Sequence, residues 1–307
     1  MTNVDDVIII GAGPAGMTSA LYALRSELKV TLIEAGLPGG QMNNTAEIEN
    51  YPGYTSIQGP ELAEAMFAPL EDLGINHIYD EVVDIVDHKT HKEVITVEGT
   101  YMSKTVIIAT GSVHKKLNVP GEDTYSARGV SYCAVCDGAF FKGKEIVVIG
   151  GGDSAVEEAI FLSRFGHVTI MHRRDTLRAQ TILQKRAFDN PNIDFIWNAV
   201  PEEIKGDDKK VTAIAYLDKT TGEHKEIAAD GVFIYVGLVP ITAFARSLTN
   251  ITDETGWIAT DEHMETSTPG VYAVGDVRQT DLRQITTAVG DGARAAQSAY
   301  KFIENNK

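Results

Sequence analysis

The sequence predicts an α/β protein made of two Rossmann-like three-layer domains, the second inserted into the first. A β-branched run, Val7-Ile8-Ile9-Ile10, opens directly into the glycine loop Gly11-Ala12-Gly13-Pro14-Ala15-Gly16. A second run, Glu145-Ile146-Val147-Val148-Ile149, opens into Gly150-Gly151-Gly152-Asp153-Ser154-Ala155 near mid-chain. Two further apolar strands end in Ala109-Thr110-Gly111 and Gly275-Asp276, one on each side of that second unit.

The first loop is followed by a helical stretch from Met17 to Arg25. Glycines there permit a tight turn and close approach of a pyrophosphate to the helix N-terminus, where unpaired N–H groups and the dipole favour anions. The next strand, Lys29 to Ile33, ends at Glu34. That is where, roughly 20 residues past such a loop, an acidic residue takes up a ribose hydroxyl. The glycine string alone is a weak signal, whereas strand, helix and terminal Glu together specify a dinucleotide site.

The second loop repeats this pattern with a helix through Val156 to Leu162 and a strand over Val168 to Met171. Here the strand ends in His172-Arg173-Arg174, with Arg178 a turn further on, and no carboxylate. Exchange of the acid for cations suits a 2′-phosphate, which Arg grips bidentately, so NADPH is favoured over NADH. A solvated basic patch is the alternative. Ala155 stands where the third glycine of the loop would be, a tolerated variant that slightly separates helix from strand.

Unequal ribose signals imply two kinds of dinucleotide, FAD at the first loop and NADPH at the second. The strands ending in Ala109-Thr110-Gly111 and Gly275-Asp276 are individually only buried strands with turns. Together with the first loop they mark a flavin domain assembled from both ends of the chain. The expected boundaries are 1–115 and 243–307 for the FAD domain and 116–242 for the NADPH domain. Asn118-Val119-Pro120-Gly121 and Gly237-Leu238-Val239-Pro240 read as paired hinges, although Pro and Gly also serve as plain turns.

Both cysteines of the 307-residue chain lie in Cys133-Ala134-Val135-Cys136-Asp137. Two sulfurs at this spacing close a small ring that opens and reforms, and a depressed thiol pKa makes one a nucleophile. A structural zinc site needs four ligands, and no second CxxC or paired-histidine knuckle exists among the eight histidines. No metal is expected. Inert buried cysteines are the other reading, but the setting from Gly129 to Gly138 is bracketed by glycine, unlike a core run.

A net charge of −16 argues against nucleic acid and anionic membranes as partners. No segment is long enough to span a bilayer, and Met1-Thr2-Asn3-Val4-Asp5-Asp6 lacks the basic start and apolar run of a secretory signal. Two cysteines spaced as a redox pair also fit a reducing compartment, so a cytoplasmic protein is expected.

These residues resemble those of bacterial low-molecular-weight thioredoxin reductases, over essentially the whole chain. Supporting stretches are Gly39-Gly40-Gln41-Met42, Glu49-Asn50-Tyr51-Pro52-Gly53, Ser131 to Gly138, the second glycine loop, His172-Arg173-Arg174, and Gly275-Asp276 followed by Arg283-Gln284. In the larger glutathione-reductase-like flavoenzymes the redox cysteines follow the first βαβ unit, where this chain has Gly39 to Asn44 and no sulfur. A separate C-terminal dimerisation domain is also not expected.

The resemblance implies electron flow from NADPH through FAD and the Cys133–Cys136 dithiol to thioredoxin, in a homodimer whose NADPH domain rotates on its two connections. It makes Cys136 the flavin-facing sulfur, Cys133 the interchange thiol that attacks the partner, and Asp137 the acid/base beside them. A charge that favours a helix start is the alternative role for Asp137.

For FAD the resemblance implies Gly11, Gly13, Pro14, Ala15 and Gly16 at the pyrophosphate and Glu34 at the ribose. Gly39, Gly40 and Gln41 fall on the flavin side and Asn50 near the isoalloxazine. Val83, Ala109, Thr110 and Gly111 contribute along the cofactor, and Gly275, Asp276, Arg283, Gln284 and Ile285 at its ribityl and ring end. Asn50 and Gln284 could equally cap local turns. For NADPH it implies Gly150, Gly152, Asp153, Ser154, Ala155, His172, Arg173, Arg174 and Arg178.

A peroxiredoxin-reducing flavoenzyme would carry an added N-terminal thioredoxin-like module, which is not expected here. A ferredoxin or flavodoxin reductase would not need Cys133 and Cys136. A non-enzymatic redox sensor would be reduced stoichiometrically without turnover.

Overall fold

In the computed structural model, which describes residues 4–45, 47–207 and 209–306, the chain enters on β1 (Val4–Ile10). Met1, Thr2 and Asn3 of the opening stretch lie outside the described residues. Val7, Ile8, Ile9 and Ile10 are all buried, because this strand is covered on both faces and needs no polar side. A glycine turn leads into α1 (Pro14–Arg25), where Pro14 occupies a first-turn position whose N–H would have no helical partner.

There follow β2 (Val30–Glu34), α2 (Gly59–Asp72), β3 (Asn76–Tyr79), β4 (Val82–Asp87), β5 (Lys92–Thr96) and β6 (Thr100–Ile108). The short β7 (Ser112–His114) leads on to β8 (Val130–Ser131), α3 (Ala134–Asp137), β9 (Glu145–Gly150), α4 (Asp153–Leu162), β10 (His167–Met171), α5 (Thr181–Phe188) and β11 (Ile193–Ile196). An antiparallel meander, β12 (Ala199–Gly206), β13 (Val211–Asp218) and β14 (Glu223–Ala228), precedes β15 (Gly231–Tyr235). The chain returns through β16 (Leu238–Pro240), which pairs with β7, and finishes on β17 (Val271–Ala273) and α6 (Ile285–Asn305).

Two units result: Met1–Val113 with Val239–Lys307, and His114–Leu238. The first holds a sheet in the order β3-β2-β1-β6-β5-β4, with β17 added on β6. β6 serves different partners along its length. Thr100 to Ser103 pair antiparallel with β5, and Val106 to Ile108 pair parallel with β17. Side chains of β1 alternate between two cores. Val7 and Ile9 pack with Met17, Leu62 and Ala295 from the helices, and Ile8 and Ile10 with Ile85, Val94 and Phe244.

The second unit holds an all-parallel sheet in the order β11-β10-β9-β15-β8. Ile146 and Val148 face Val156, Leu162 and Leu183 of the helices, while Val147 and Ile149 face Ile204, Val211 and Ile214 of the meander. Both units are therefore three-layered, with helices on one face of a mainly parallel sheet and strands or loops on the other.

Two local readings of the sequence shift. Both loop-following helices begin at the glycine loop itself, at Pro14 and Asp153, three residues before the apolar pattern becomes visible. Their first turns, Pro14-Ala15-Gly16 and Asp153-Ser154-Ala155, are too small to carry an amphipathic signal. Asn118-Val119-Pro120-Gly121 lies within the second unit, past the crossing itself. It is packed on the meander, with Ile204 N–H donating to Pro120 O at 2.9 Å and a Cβ on Gly121 falling 1.8 Å from Ile204 O. β7 and β16 carry the crossings. Among the described residues no helix is long and apolar enough to cross a membrane.

Candidate nucleotide and dithiol sites

The glycines of the first loop divide the work of building a cradle. A Cβ on Gly11, whose φ is 100°, would fall 2.5 Å from Ala109 O, and one on Gly16 would fall 1.9 Å from Gly11 O. Gly13 faces open space, with nothing within 4 Å of its Cβ position. Among the described residues no side chain caps α1, so its first-turn N–H groups are left for a ligand. This is a cradle that any side chain at residue 13 would fill, and it fits a pyrophosphate.

Glu34 is bound into the same loop. Its two carboxylate oxygens accept the N–H groups of Ala12 at 2.7 Å and Gly36 at 2.8 Å, and each oxygen keeps a further lone pair for a ribose hydroxyl. Gly39 N–H donates to Ala12 O at 2.8 Å, and the Gly40 Cβ position is 3.3 Å from Gly13 Cα, so Gly39-Gly40 lies against the loop. Gln41 is tethered by its amide to Ser112 O at 3.0 Å.

α6 closes the other side because Gly292 lets it approach α1: a Cβ there would be 2.3 Å from Ala15 O. The Gly275 Cβ position is 3.0 Å from Ala15 Cβ, which puts Gly275-Asp276 beside the first turn of α1. Asp276 is half-buried, and its carboxyl has no hydrogen-bond partner among the described residues. Burial raises its pKa, against the opposing field of Arg283, and Asp291 adds to the rise. An unpartnered carboxyl of this kind fits a ligand hydroxyl.

Arg283 stacks its guanidinium 3.8 Å over Trp257, and its buried Nε has no hydrogen-bond partner among the described residues. Gln284 caps α6 in a reciprocal box with Thr287, and Asn50 Nδ2 donates to Gln284 Oε1 at 3.0 Å. The local capping role is thus present for Gln284, and Asn50 is bonded to it. Ile285 opens α6 and packs on the core. Ala109 N–H donates to Ile10 O, Thr110 Oγ1 donates to Ile241 O at 2.7 Å, and Gly111 O accepts from Ile241 N. Val83 sits exposed on β4.

The second loop is built alike. A Cβ on Gly150 would be 2.5 Å from Tyr235 O and 2.6 Å from Ala155 Cβ, whereas Gly152 faces open space at the uncapped start of α4. The basic segment is bonded to this loop at two points. Arg178 N–H donates to Gly151 O at 2.7 Å, and Gln180 donates to the Asp153 carboxylate through its N–H at 2.7 Å and its amide at 2.9 Å. Arg173, Arg174 and Arg178 are exposed, as is Ser154. None of the three guanidinium groups has a carboxylate partner among the described residues.

His172 is placed differently from the arginines. It is 4% exposed, and its ring lies where a Cβ on Gly151 would be, 2.4 Å from that position. Burial first, then Arg178 and the other two arginines, lower its pKa, so it is neutral at pH 7. His172 supports the loop from beneath while the arginines flank it.

The dithiol occupies a single turn. β8 pairs with β15 and delivers Ser131, whose Oγ accepts Cys133 N–H at 3.0 Å. Cys133 and Cys136 form a disulfide with Cα atoms 5.4 Å apart. Cys133 is the N-cap of α3, and its Sγ accepts Cys136 N–H at 3.2 Å, a contact that favours thiolate on Cys133 after reduction. Cys133 is half-buried and Cys136 exposed. Asp137, half-buried, is the fourth residue of this turn and directly follows Cys136.

Three neighbours escaped the sequence reading. Tyr235 Oη accepts Ala134 N–H at 3.2 Å, and the Tyr132 hydroxyl donates to Glu122. Glu122, 2% exposed, also accepts the N–H groups of Leu117 at 2.9 Å and Asn118 at 2.6 Å. Only the position of Tyr132, next to Cys133, could have drawn attention to any of them.

Residues 5–292 match the family model for pyridine nucleotide-disulphide oxidoreductases. The chain is 55% identical over 303 residues to thioredoxin reductase of Listeria innocua, covering 98% of this chain and 95% of that one. It is 53% identical over 300 residues to thioredoxin reductase of Bacillus subtilis, covering 97% and 95%. The crystal structure of Lactococcus lactis thioredoxin reductase in its FR conformation superposes with a TM-score of 0.97 at 62% identity, over 98% of this chain and 99% of that one. With a glycine cradle in each unit, a CxxC disulfide and a match over nearly its full length, the chain belongs to the pyridine nucleotide-disulphide oxidoreductase family.

Proposed function

We propose that this chain is an NADPH-dependent thioredoxin-disulfide reductase, passing electrons from NADPH through FAD and the Cys133–Cys136 dithiol to the disulfide of thioredoxin. The observation that carries the reading is the Cys133–Cys136 disulfide, partly open to solvent, in the unit that also holds the basic nucleotide loop. FAD, when bound, supplies a two-electron carrier between nicotinamide and disulfide.

The chain's own residues hold, orient and protonate. The first-loop N–H groups and Glu34 fit a pyrophosphate and its ribose, and Asp276 fits a further hydroxyl. Arg173, Arg174 and Arg178 fit a 2′-phosphate. Opening a disulfide to two thiols takes two electrons and two protons, and a hydride equivalent brings both electrons but one proton. The second proton is needed at a sulfur, and Asp137, the residue directly after Cys136, is the carboxyl assigned to deliver it.

The resemblance gives Cys136 to the flavin and Cys133 to the partner. Exposure runs the other way, since Cys136 is the sulfur that a partner approaching from solvent meets first. Single serine variants separate the two assignments, as set out below.

Rotation of the second unit is part of the reading. It is supported by Gly111 and Gly237 flanking the crossings at positive φ, with no atom within 4 Å of either Cβ position. A cytoplasmic, homodimeric protein with no nucleic-acid or membrane partner completes it. The support there is the net charge of −16, a lone redox pair of cysteines, and the resemblance.

Anaerobic addition of NADPH to the yellow holoprotein is expected to bleach the flavin, and oxidised thioredoxin then to restore the colour over repeated cycles. Absence of bleaching overturns the reading. One stoichiometric reduction without turnover favours the sensor instead.

A further inference from the structure

Behind the redox turn lie buried titratable groups that neither the nucleotide loops nor the sulfurs account for. Tyr235 closes β15 and is 8% exposed. Its hydroxyl oxygen accepts the N–H of Ala134, a fully buried residue that opens α3 directly after Cys133. A first-turn N–H has no partner within its own helix, and a buried one has no water, so the phenol oxygen meets a need that would otherwise go unmet.

The Tyr235 ring is fixed in turn by His114, edge-on at 5.4 Å, and His114 stacks on Tyr132 at 6.3 Å. The residues on either side of Cys133 are thus each held through a tyrosine hydroxyl, Tyr132 by its bond to Glu122 and Ala134 by its bond to Tyr235.

We propose that Tyr235 is a positioning residue for the Cys133–Cys136 dithiol, fixing the redox turn through the Ala134 N–H. The phenol oxygen is committed to Ala134, so its removal leaves a buried N–H without a partner directly after Cys133. The proposal rests on the dithiol being reactive, as the proposed function has it.

The test reads the sulfurs without thioredoxin. Holoprotein reduced with a phosphine is alkylated with iodoacetamide across a pH series, in native and Y235F forms, and hydrogen exchange of the Ala134 amide is followed in the native protein. Y235F keeps the ring and removes only the oxygen. It is expected to move the titration midpoint of the thiols by about half a unit or more, the scale of one net hydrogen bond. The Ala134 amide of the native protein is expected to exchange slowly, as a buried, bonded N–H does.

A Y235F midpoint equal to native overturns the proposal. If Y235F does not fold, an Ala134 amide that exchanges in the native protein as fast as an exposed one overturns it alone. Normal alkylation shifts with no thioredoxin turnover would instead count against the proposed function.

Discussion

Replacing Arg178 by Ala tests whether the basic segment reads a 2′-phosphate. Its backbone N–H donates to Gly151 O at 2.7 Å, a bond that the substitution leaves in place, so the loop stays where it is. The guanidinium is exposed and has no carboxylate partner among the described residues, so its removal orphans nothing. Stability should therefore move by no more than about 0.5 kcal/mol. A hydrogen bond to a charged group is worth about 1.5–3 kcal/mol, and exposure places this one toward the lower end. At 1.4 kcal/mol per factor of ten, the KM for NADPH should rise roughly tenfold to thirtyfold. NADH has no 2′-phosphate, and its KM should change less than about twofold. The assay is steady-state thioredoxin reduction with each nucleotide in turn. Equal shifts for both nucleotides, or none for either, would refute the assignment of Arg178 to the phosphate.

The glycines of the first loop should separate by function. Gly13→Ala places a Cβ in open space at an ordinary φ and should leave the cofactor-free protein's melting temperature near native, while the purified protein loses its yellow colour. Gly16→Ala forces a Cβ to 1.9 Å from Gly11 O and should lower the melting temperature of the cofactor-free protein sharply. Asp276 has a raised pKa in the folded chain, so the folded state binds its proton more tightly than the unfolded state does. Without cofactor, the stability contribution of this group is present at acid pH and lost as pH rises through the shifted range. Asp276→Asn should therefore raise the melting temperature of the cofactor-free protein at pH 7 and weaken flavin retention. Calorimetry with and without FAD checks both.

Parts of the fold and site were legible because they are local. A strand buried on both faces has to be an unbroken apolar run, and a glycine loop has to follow it where a Cβ would strike the neighbouring strand, as at Gly11 and Gly150. The CxxC needs no partner elsewhere in the sequence. What escaped depends on contacts that leave no periodic trace. Tyr235 meets Ala134 from 101 positions away, and Glu122 resembles any other acidic residue until its carboxylate gathers Leu117, Asn118 and Tyr132. His172 and Arg173 are adjacent in sequence, yet the strand end turns one beneath the loop and the other out to solvent. Asn118 to Gly121 has the composition of a hinge but is fixed by the meander, which is strand-paired through alternating, half-exposed residues with a weak hydrophobic signal.

The most direct measurement of the central claim, that the Cys133–Cys136 dithiol carries electrons from NADPH to thioredoxin, is thioredoxin-dependent NADPH oxidation by Cys133→Ser and Cys136→Ser beside the native protein. Both variants should bind FAD and be bleached by NADPH, neither should turn over thioredoxin, and the one that retains the attacking sulfur should trap thioredoxin as a mixed disulfide. Native turnover by either variant would contradict the account.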